Sequence, residues 1–249
     1  MNLMIDRLQN SVLSMQMLSK AQEITANNLA NVNTPGFKAD RVFFEMFMNA
    51  GNQNQGSGVL PVQFINFEQG QLEQTGNMFD LALEGNGFFL VEKDNMAHLT
   101  RNGRFNLDSS GYLIDDRGSH VQGRDGNIII PEYLAAISGG DRQLDLEISQ
   151  DGTIRLNGEI FDQIRVVSLE NPENLRKLDG NYFIVKNGDM PLADDSTRVL
   201  QGYIELGNVN PMKELLDMTQ NFKLFEAQQR IMRSTDDMLS GATHTLGRF

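Results

Sequence analysis

Three histidines, His98, His120 and His244, are the only imidazoles of a chain that has no cysteine. A zinc site needs several nitrogen or sulfur ligands at short, regular spacing. These three are widely scattered, and ordinary surface histidines are the simpler reading. Two carboxylate pairs, Asp115-Asp116 and Asp194-Asp195, hold the raw material for acid–base catalysis or for a hard cation. They lack the alternating oxygen ligands of a calcium loop, and adjacent carboxylates in a turn-rich acidic chain are ordinarily solvated. Gly85-Asn86-Gly87-Phe88 is half of a dinucleotide-binding loop, but it leads into a strand where phosphate binding needs a helix N-terminus. No nucleophile elbow or phosphate loop is present. These residues imply no catalytic centre, no cofactor and no metal. A glycosidase built on the Asp pairs would also need a cleft and a raised carboxyl pKa.

The elements that would position any such residue are of two kinds. At the N-terminus Ile5, Leu8, Val12, Met15 and Leu18 step by three or four residues, with Ala26 and Leu29 continuing, which is one apolar stripe on a helix. Asn27, Asn28, Asn31 and Asn33 then turn the chain polar before Pro35-Gly36. Proline pushes Thr34 out of the helical region and Gly36 suits a positive φ, so the helix stops by about residue 33. At the other end Leu215, Met218, Phe222, Phe225, Gln229, Met232, Asp236, Leu239, Thr243 and Leu246 alternate steps of three and four, the period of a coiled-coil seam. A second row, Leu224, Ala227, Ile231 and Met238, widens this face beyond one seam. Pro211 suits a first helical turn, and Asn208 or Asn210 can cap it.

Between the helices the pattern is β-type. Phe88–Val91, Asn127–Ile130, Ile164–Val167 and Tyr182–Val185 read as strands. Asp108-Ser109-Ser110-Gly111, Asp125-Gly126, Asp151-Gly152 and Asn157-Gly158 read as turns, the last two as hairpin dipeptides. Residues 50–60 read as a polar flexible loop. The expected fold class is therefore α+β, with long N- and C-terminal helices paired coiled-coil-like and a central all-β domain inserted between them. The expected division is 1–33 and 209–249 as a discontinuous helical assembly domain, 34–79 as an extended linker region, and 80–208 as a β-rich outer domain.

The net charge of −12 over 249 residues argues against nucleic acid as a partner. The N-terminus lacks the basic start and unbroken apolar run of a cleavable signal peptide, and no segment approaches the ~20 apolar residues of a membrane span. Composition by itself would leave the chain in the cytosol.

The run Asn27-Asn28-Leu29-Ala30-Asn31-Val32-Asn33-Thr34-Pro35-Gly36-Phe37-Lys38 closely resembles the N-terminal signature of the bacterial flagellar rod and hook protein family. Further matches follow in order: Gly70-Gln71-Leu72, Thr75-Gly76-Asn77, Asp80 through Phe89, and Leu99-Thr100-Arg101-Asn102-Gly103-Arg104-Phe105. Near the end come Gly207-Asn208-Val209-Asn210-Pro211, Phe225-Glu226-Ala227-Gln228-Gln229 and Asp236-Asp237-Met238-Leu239. The matches are collinear over nearly the whole chain.

That resemblance implies a structural subunit, not an enzyme, in the periplasmic rod of the flagellar basal body. Such subunits polymerise helically around an export channel, with terminal helices inside and the β part outward. It implies copies of the chain, other rod subunits and the flagellar type III export apparatus as partners, with export needing no cleaved signal. The residues expected to carry subunit assembly are Leu8, Val12, Met15, Leu18 and Leu29 in the first helix, and Leu215, Met218, Phe222, Phe225, Met232 and Leu239 in the second. The family signature falls on Asn27, Asn28, Leu29, Asn31, Thr34, Pro35, Gly36 and Phe37. Within the family, length argues against the hook protein and the shortest rod subunits; Phe225 and the Gly207–Pro211 segment are more similar to the proximal rod subunit, with the distal rod protein as the alternative. A secreted monomeric binding protein is the reading from another class, and it would keep its terminal helices ordered at dilution.

Overall fold

A computed structural model of the protein describes residues 2–47, 58–130, 146–169, 171–178, 181–186, 192–193 and 196–246. Helix α1 (Asn2–Ala30) opens the chain, followed by strands β1 (Asp40–Phe47) and β2 (Gly58–Ile65). Short strands follow: β3 (Leu72–Gln74), β4 (Leu81–Glu84), β5 (Phe88–Lys93), β6 (Met96–Thr100), β7 (Phe105–Leu107), β8 (Leu113–Asp115) and β9 (His120–Val121). After them come β10 (Leu146–Ile148), β11 (Thr153–Leu156), β12 (Glu159–Gln163), β13 (Val166–Ser168) and β14 (Leu175–Lys177). The β run closes with β15 (Tyr182–Val185), β16 (Leu192–Ala193), β17 (Arg198–Gln201) and β18 (Tyr203–Glu205), and α2 (Pro211–Leu246) ends the described chain.

The chain forms two compact units, and both are discontinuous. One holds Met1–Ala30, Asp40–Phe64 and Asn210–Phe249; the other holds Asn31–Ala39 and Ile65–Val209. In the helical unit α1 and α2 are neighbours, and β1 pairs with β2 as a two-stranded ribbon. That ribbon begins its second strand at Gly58, inside the segment expected as polar loop. The expected strong stop of α1 falls at Ala30, ahead of a turn that runs to Gly36.

The α+β class holds, but the coiled-coil pairing of the helices does not. A coiled-coil seam buries each a and d side chain in a hole of the facing helix. Here Val12, Leu215 and Phe222 stay 46%, 48% and 51% exposed, and none of the apolar clusters among the described residues takes a residue from either helix. The cause is visible in the sequence pattern: two apolar rows on α2 spread its hydrophobic face wider than one neighbouring helix covers.

The β-rich unit is built on an antiparallel sheet ordered β14-β15-β6-β5-β9-β8-β7, with β13 also pairing β5 and β16. Smaller sheets are β10-β11-β12, β17-β4 and β18-β3. Tight turns make the local pairings: Asp94 and Asn95 both take positive φ between β5 and β6, and Asn157 and Gly158 do so between β11 and β12. The main core gathers Leu81, Leu83, Phe89, Val91, Phe105, Leu113 and Ile154, with Phe89 and Phe105 edge to face at 5.2 Å. A second cluster holds Phe88, Leu99, Val167, Leu175 and Phe183. Residues 127–130, expected as a strand, make isolated bridges to Gln122 and Tyr112 while Ile128 and Ile130 enter the core. Their apolar run is satisfied by burial without a continuous ladder.

Candidate assembly site and its buried ion clasp

The β-rich unit draws the signature segment into its interior. Thr34 donates its N–H to the Asn31 carbonyl at 3.0 Å, turning the chain after α1. Gly36 takes φ of +66°, and its N–H reaches the Glu205 carbonyl at 2.7 Å. A Cβ at position 36 would lie 2.3 Å from the backbone of Arg101 and Asn102, so glycine is required here by space as well as by conformation. Phe37 is buried with Ala39, Val209 and Val32, and Lys177 places its ammonium 3.8 Å from the Phe37 ring centroid. Asn181 holds the Pro35 carbonyl at 2.6 Å.

Beneath this segment lies a buried ion clasp. Lys38, 0% exposed, donates to Glu205 Oε1 at 2.7 Å and to the Glu68 carbonyl at 2.8 Å. Glu205 Oε1 also accepts the Gly70 N–H at 2.8 Å, and its Oε2 accepts from Arg101 at 3.3 Å. Arg101 donates to the Gly85 carbonyl at 2.6 Å and stacks its guanidinium 5.0 Å from the Phe88 ring centroid. Burial pushes the Lys38 amine below its ordinary value, while the Glu205 carboxylate pulls it back up. Asn208 completes the closure: its Oδ1 accepts the Ala39 N–H at 2.7 Å, and its amide donates to the Asn66 and Glu68 carbonyls. Buried charges are tolerated when each is paired and hydrogen-bonded, as these are.

In the helical unit the fully buried Asn28 acts as a length of β-strand. It donates to the Asp40 carbonyl at 2.9 Å and accepts the Asp40 N–H at 3.0 Å, fixing α1 to the start of β1. Its amide also reaches Glu214 at 3.4 Å, and Arg41 pairs with Glu214 at 2.7 Å. Asn210 caps α2 by accepting the Lys213 N–H at 3.1 Å. Glu214 in the first turn suits the helix dipole.

The expected assembly residues form no closed cluster in the single chain. Met15, Leu18 and Leu29 on α1, and Met218, Phe225 and Met232 on α2, are half-buried, whereas Val12, Leu215 and Phe222 are exposed. The side chains of Leu8 and Leu239 lie outside the described residues. Leu216, Leu224, Ile231 and Met238 extend the exposed apolar face of α2. Of the signature residues, Asn28, Pro35, Gly36 and Phe37 are buried, Leu29, Asn31 and Thr34 half-buried, and Asn27 exposed. Asn208, expected as a cap, instead ties the signature segment.

Of the residues considered for chemistry, Asp115 and His98 meet, both on Tyr182. Among the described residues no cluster could hold a metal ion. Asp194-Asp195 and the His244 side chain lie outside the described residues. Asp115 is buried, with its Oδ1 accepting N–H groups of Arg117 and Ser119 and its Oδ2 accepting from the Tyr182 hydroxyl. Burial and that hydrogen bond hold the Tyr182 phenol well above its ordinary value. His98 stacks on Tyr182 with ring centroids 5.4 Å apart, and burial holds its pKa below 6.5. This is a structural network that ties β6, β8 and β15 together.

The family relationships follow this anatomy along the chain. The model for flagella basal body rod proteins matches residues 8–38, covering α1 and the buried signature segment. The model for the D1 domain of the flagellar hook proteins FlgE, FlgF and FlgG matches residues 82–156, and the C-terminal model of the same group matches 200–243. The flagellar basal-body rod protein FlgF of Caulobacter vibrioides is 30% identical over 95% of this chain and 96% of the relative. The chain belongs to the flagellar basal-body rod protein family. The FlgF of Mesorhizobium japonicum is 28% identical over 98% of this chain and 99% of the relative. The rod protein FlgG of Buchnera aphidicola from Acyrthosiphon pisum is 31% identical over 87% of this chain and 90% of the relative. The chain is thus a structural rod subunit of the basal body, of a length shared with its FlgF relatives.

Sequence reasoning missed Lys38, Arg101, Glu205, Arg41 and Glu214 as a set. Lys38 and Arg101 stand inside the family motifs, and that membership was the usable signal for them. Glu205 and Glu214 had none.

Proposed function

We propose that this subunit joins a helical stack with copies of itself and with other rod subunits through the apolar faces of α1 and α2. The observation that carries this is that α2 keeps two apolar stripes exposed, Leu215 with Phe222 on one and Leu224, Ile231 and Met238 on the other. Large apolar side chains left exposed along both stripes mark faces awaiting partners. Head-to-tail contacts whose rotation does not close generate a helical stack. Assembly is the whole of the activity, without catalysis. Residues 1–33 and 209–249 serve as the assembly part.

Phe225 with the 207–211 segment favours the proximal position in the rod over the distal one. The site of action is the periplasmic part of the basal body. The chain reaches it through the flagellar export apparatus without cleavage of a signal.

The test is Phe222→Asp in cells lacking the natural copy. Phe222 is half exposed in the single chain, so the charge leaves the subunit folded and disturbs only a covered face. The variant is expected at wild-type levels in the cell but absent from purified basal bodies, with motility lost. Wild-type amounts in basal bodies would overturn the assignment of this face.

A further inference from the structure

The buried clasp joins the two ends of the chain's β-rich unit, and its members are far apart in sequence. Lys38 and Glu205 are separated by 167 residues, Ala39 and Asn208 by 169, Asn181 and Pro35 by 146, and Arg101 and Glu205 by 104. The strand pairings of this unit are in part local and in part long-range, and the farthest of them, β18 with β3, spans fewer residues than Lys38 to Glu205. The pairs β5–β6, β7–β8, β8–β9, β10–β11 and β11–β12 join consecutive strands through short turns.

We propose that the Lys38–Glu205–Arg101 clasp is the last part of the β-rich unit to close, and that residues 34–39 stay outside the fold until residues 203–208 arrive. Two physical facts support that order. Closing a long loop costs more chain entropy than closing a short turn, so distant contacts form after local ones that reward them. The second fact concerns charge. The Lys38 ammonium is 0% exposed and paired with Glu205, so the step that buries it as an ion is the one that brings the Glu205 carboxylate to it. Burying either charge without the other leaves an uncompensated ion, which is strongly unfavourable. Glu205 itself is delivered by the pairing of β18 with β3, where Glu205 faces Leu72, and that pairing puts its carboxylate onto the Gly70 N–H.

The arrangement gives the chain a closing order that does not depend on which end appears first. An N-terminal segment emerging early finds no carboxylate for Lys38 within the clasp, and a C-terminal segment emerging early finds neither of the cations that pair with Glu205. The signature segment therefore remains extended and available until nearly the whole chain is present. This inference stands apart from the rod assignment, since it concerns only the order of folding within one chain.

Full-length protein refolded and unfolded in urea, followed by tyrosine fluorescence, tests it. Among the described residues Tyr112, Tyr182 and Tyr203 lie in the β-rich unit, and the chain has no tryptophan to mask them. Glu205→Gln keeps the shape and removes the charge. It is expected to speed unfolding at least tenfold while refolding stays within twofold of the wild type, the signature of a contact absent from the transition state. Should Glu205→Gln fail to fold, Lys177→Ala probes the same segment more gently. That side chain donates to the Lys38 carbonyl at 2.8 Å from the surface side of Phe37, and the same partition is expected. Leu83→Ala in the main core serves as the contrast and is expected to slow refolding. Refolding slowed by Glu205→Gln or Lys177→Ala in proportion to the lost stability would overturn the proposal, because the clasp would then belong to the nucleus.

Discussion

Replacing Gly36 with alanine separates two costs that usually travel together. The first is conformational: φ of +66° lies in the left-handed region, which costs an L-residue about 1–2 kcal/mol. The second is steric. The new methyl carbon would sit 2.3 Å from the Arg101 carbonyl carbon and the Asn102 nitrogen, more than an ångström inside ordinary contact, and both are backbone atoms that cannot rotate away. Forced overpacking of this kind adds about 1–3 kcal/mol, so Gly36→Ala should cost about 2–5 kcal/mol. Gly76 provides the control within the same unit. Its φ is +73° and an added Cβ meets nothing within 4 Å, so Gly76→Ala carries the conformational cost alone, about 1–2 kcal/mol. Urea unfolding read by tyrosine fluorescence reports the β-rich unit for both variants. The midpoint should fall clearly further for Gly36→Ala than for Gly76→Ala, with little change in slope. Equal midpoints would refute the argument that the 101–102 backbone excludes a side chain at position 36.

Asn28→Ala should loosen the helical unit by about 1–3 kcal/mol, because it strips partners from a buried Asp40 N–H and carbonyl; helical circular dichroism on heating measures it. Glu214→Ala should cost a comparable amount in the same melt, since it leaves the Asn28 amide and the Arg41 guanidinium without their shared acceptor. A pH effect follows from His98. Burial lowers its pKa from 6.5, so above 6.5 the imidazole is neutral in both states; below it the unfolded chain binds the proton first and stability falls with acid. The groups facing it are Lys93, which also opposes protonation, and Asp115 and Asp94, which favour it, around the stacked Tyr182 ring. His98→Phe should therefore flatten the fall of the melting temperature between pH 6.5 and the acid limb, and an unchanged slope would remove His98 from the account.

Much of this architecture was legible because it is local. The stop of α1 before Thr34-Pro35-Gly36, the Asn157-Gly158 hairpin and the strands around Phe88, Val166 and Tyr182 each follow from a few neighbouring residues. The Asp94-Asn95 turn was not legible, since neither residue demands a positive φ as glycine does. Residues 127–130 show the limit of composition: an apolar run is a statement about burial, and here burial came without a ladder. The coiled-coil expectation erred by reading a period of 3.5 as a partner. Periodicity fixes which face is apolar, while the width of that face decides how many neighbours it needs. The clasp was illegible for a different reason, because a glutamate 167 residues away leaves no mark on the sequence around Lys38.

The interleaving of the two units has a consequence for how such genes can be recombined. Residues 31–39 fold with Ile65–Val209, although α1 and the β1–β2 ribbon that flank them belong elsewhere. A swap of the β-rich part between two relatives at a single pair of junctions would part Lys38 from Glu205 and join each to a stranger. A working chimera needs four junctions, so that both halves of the ion pair are inherited together.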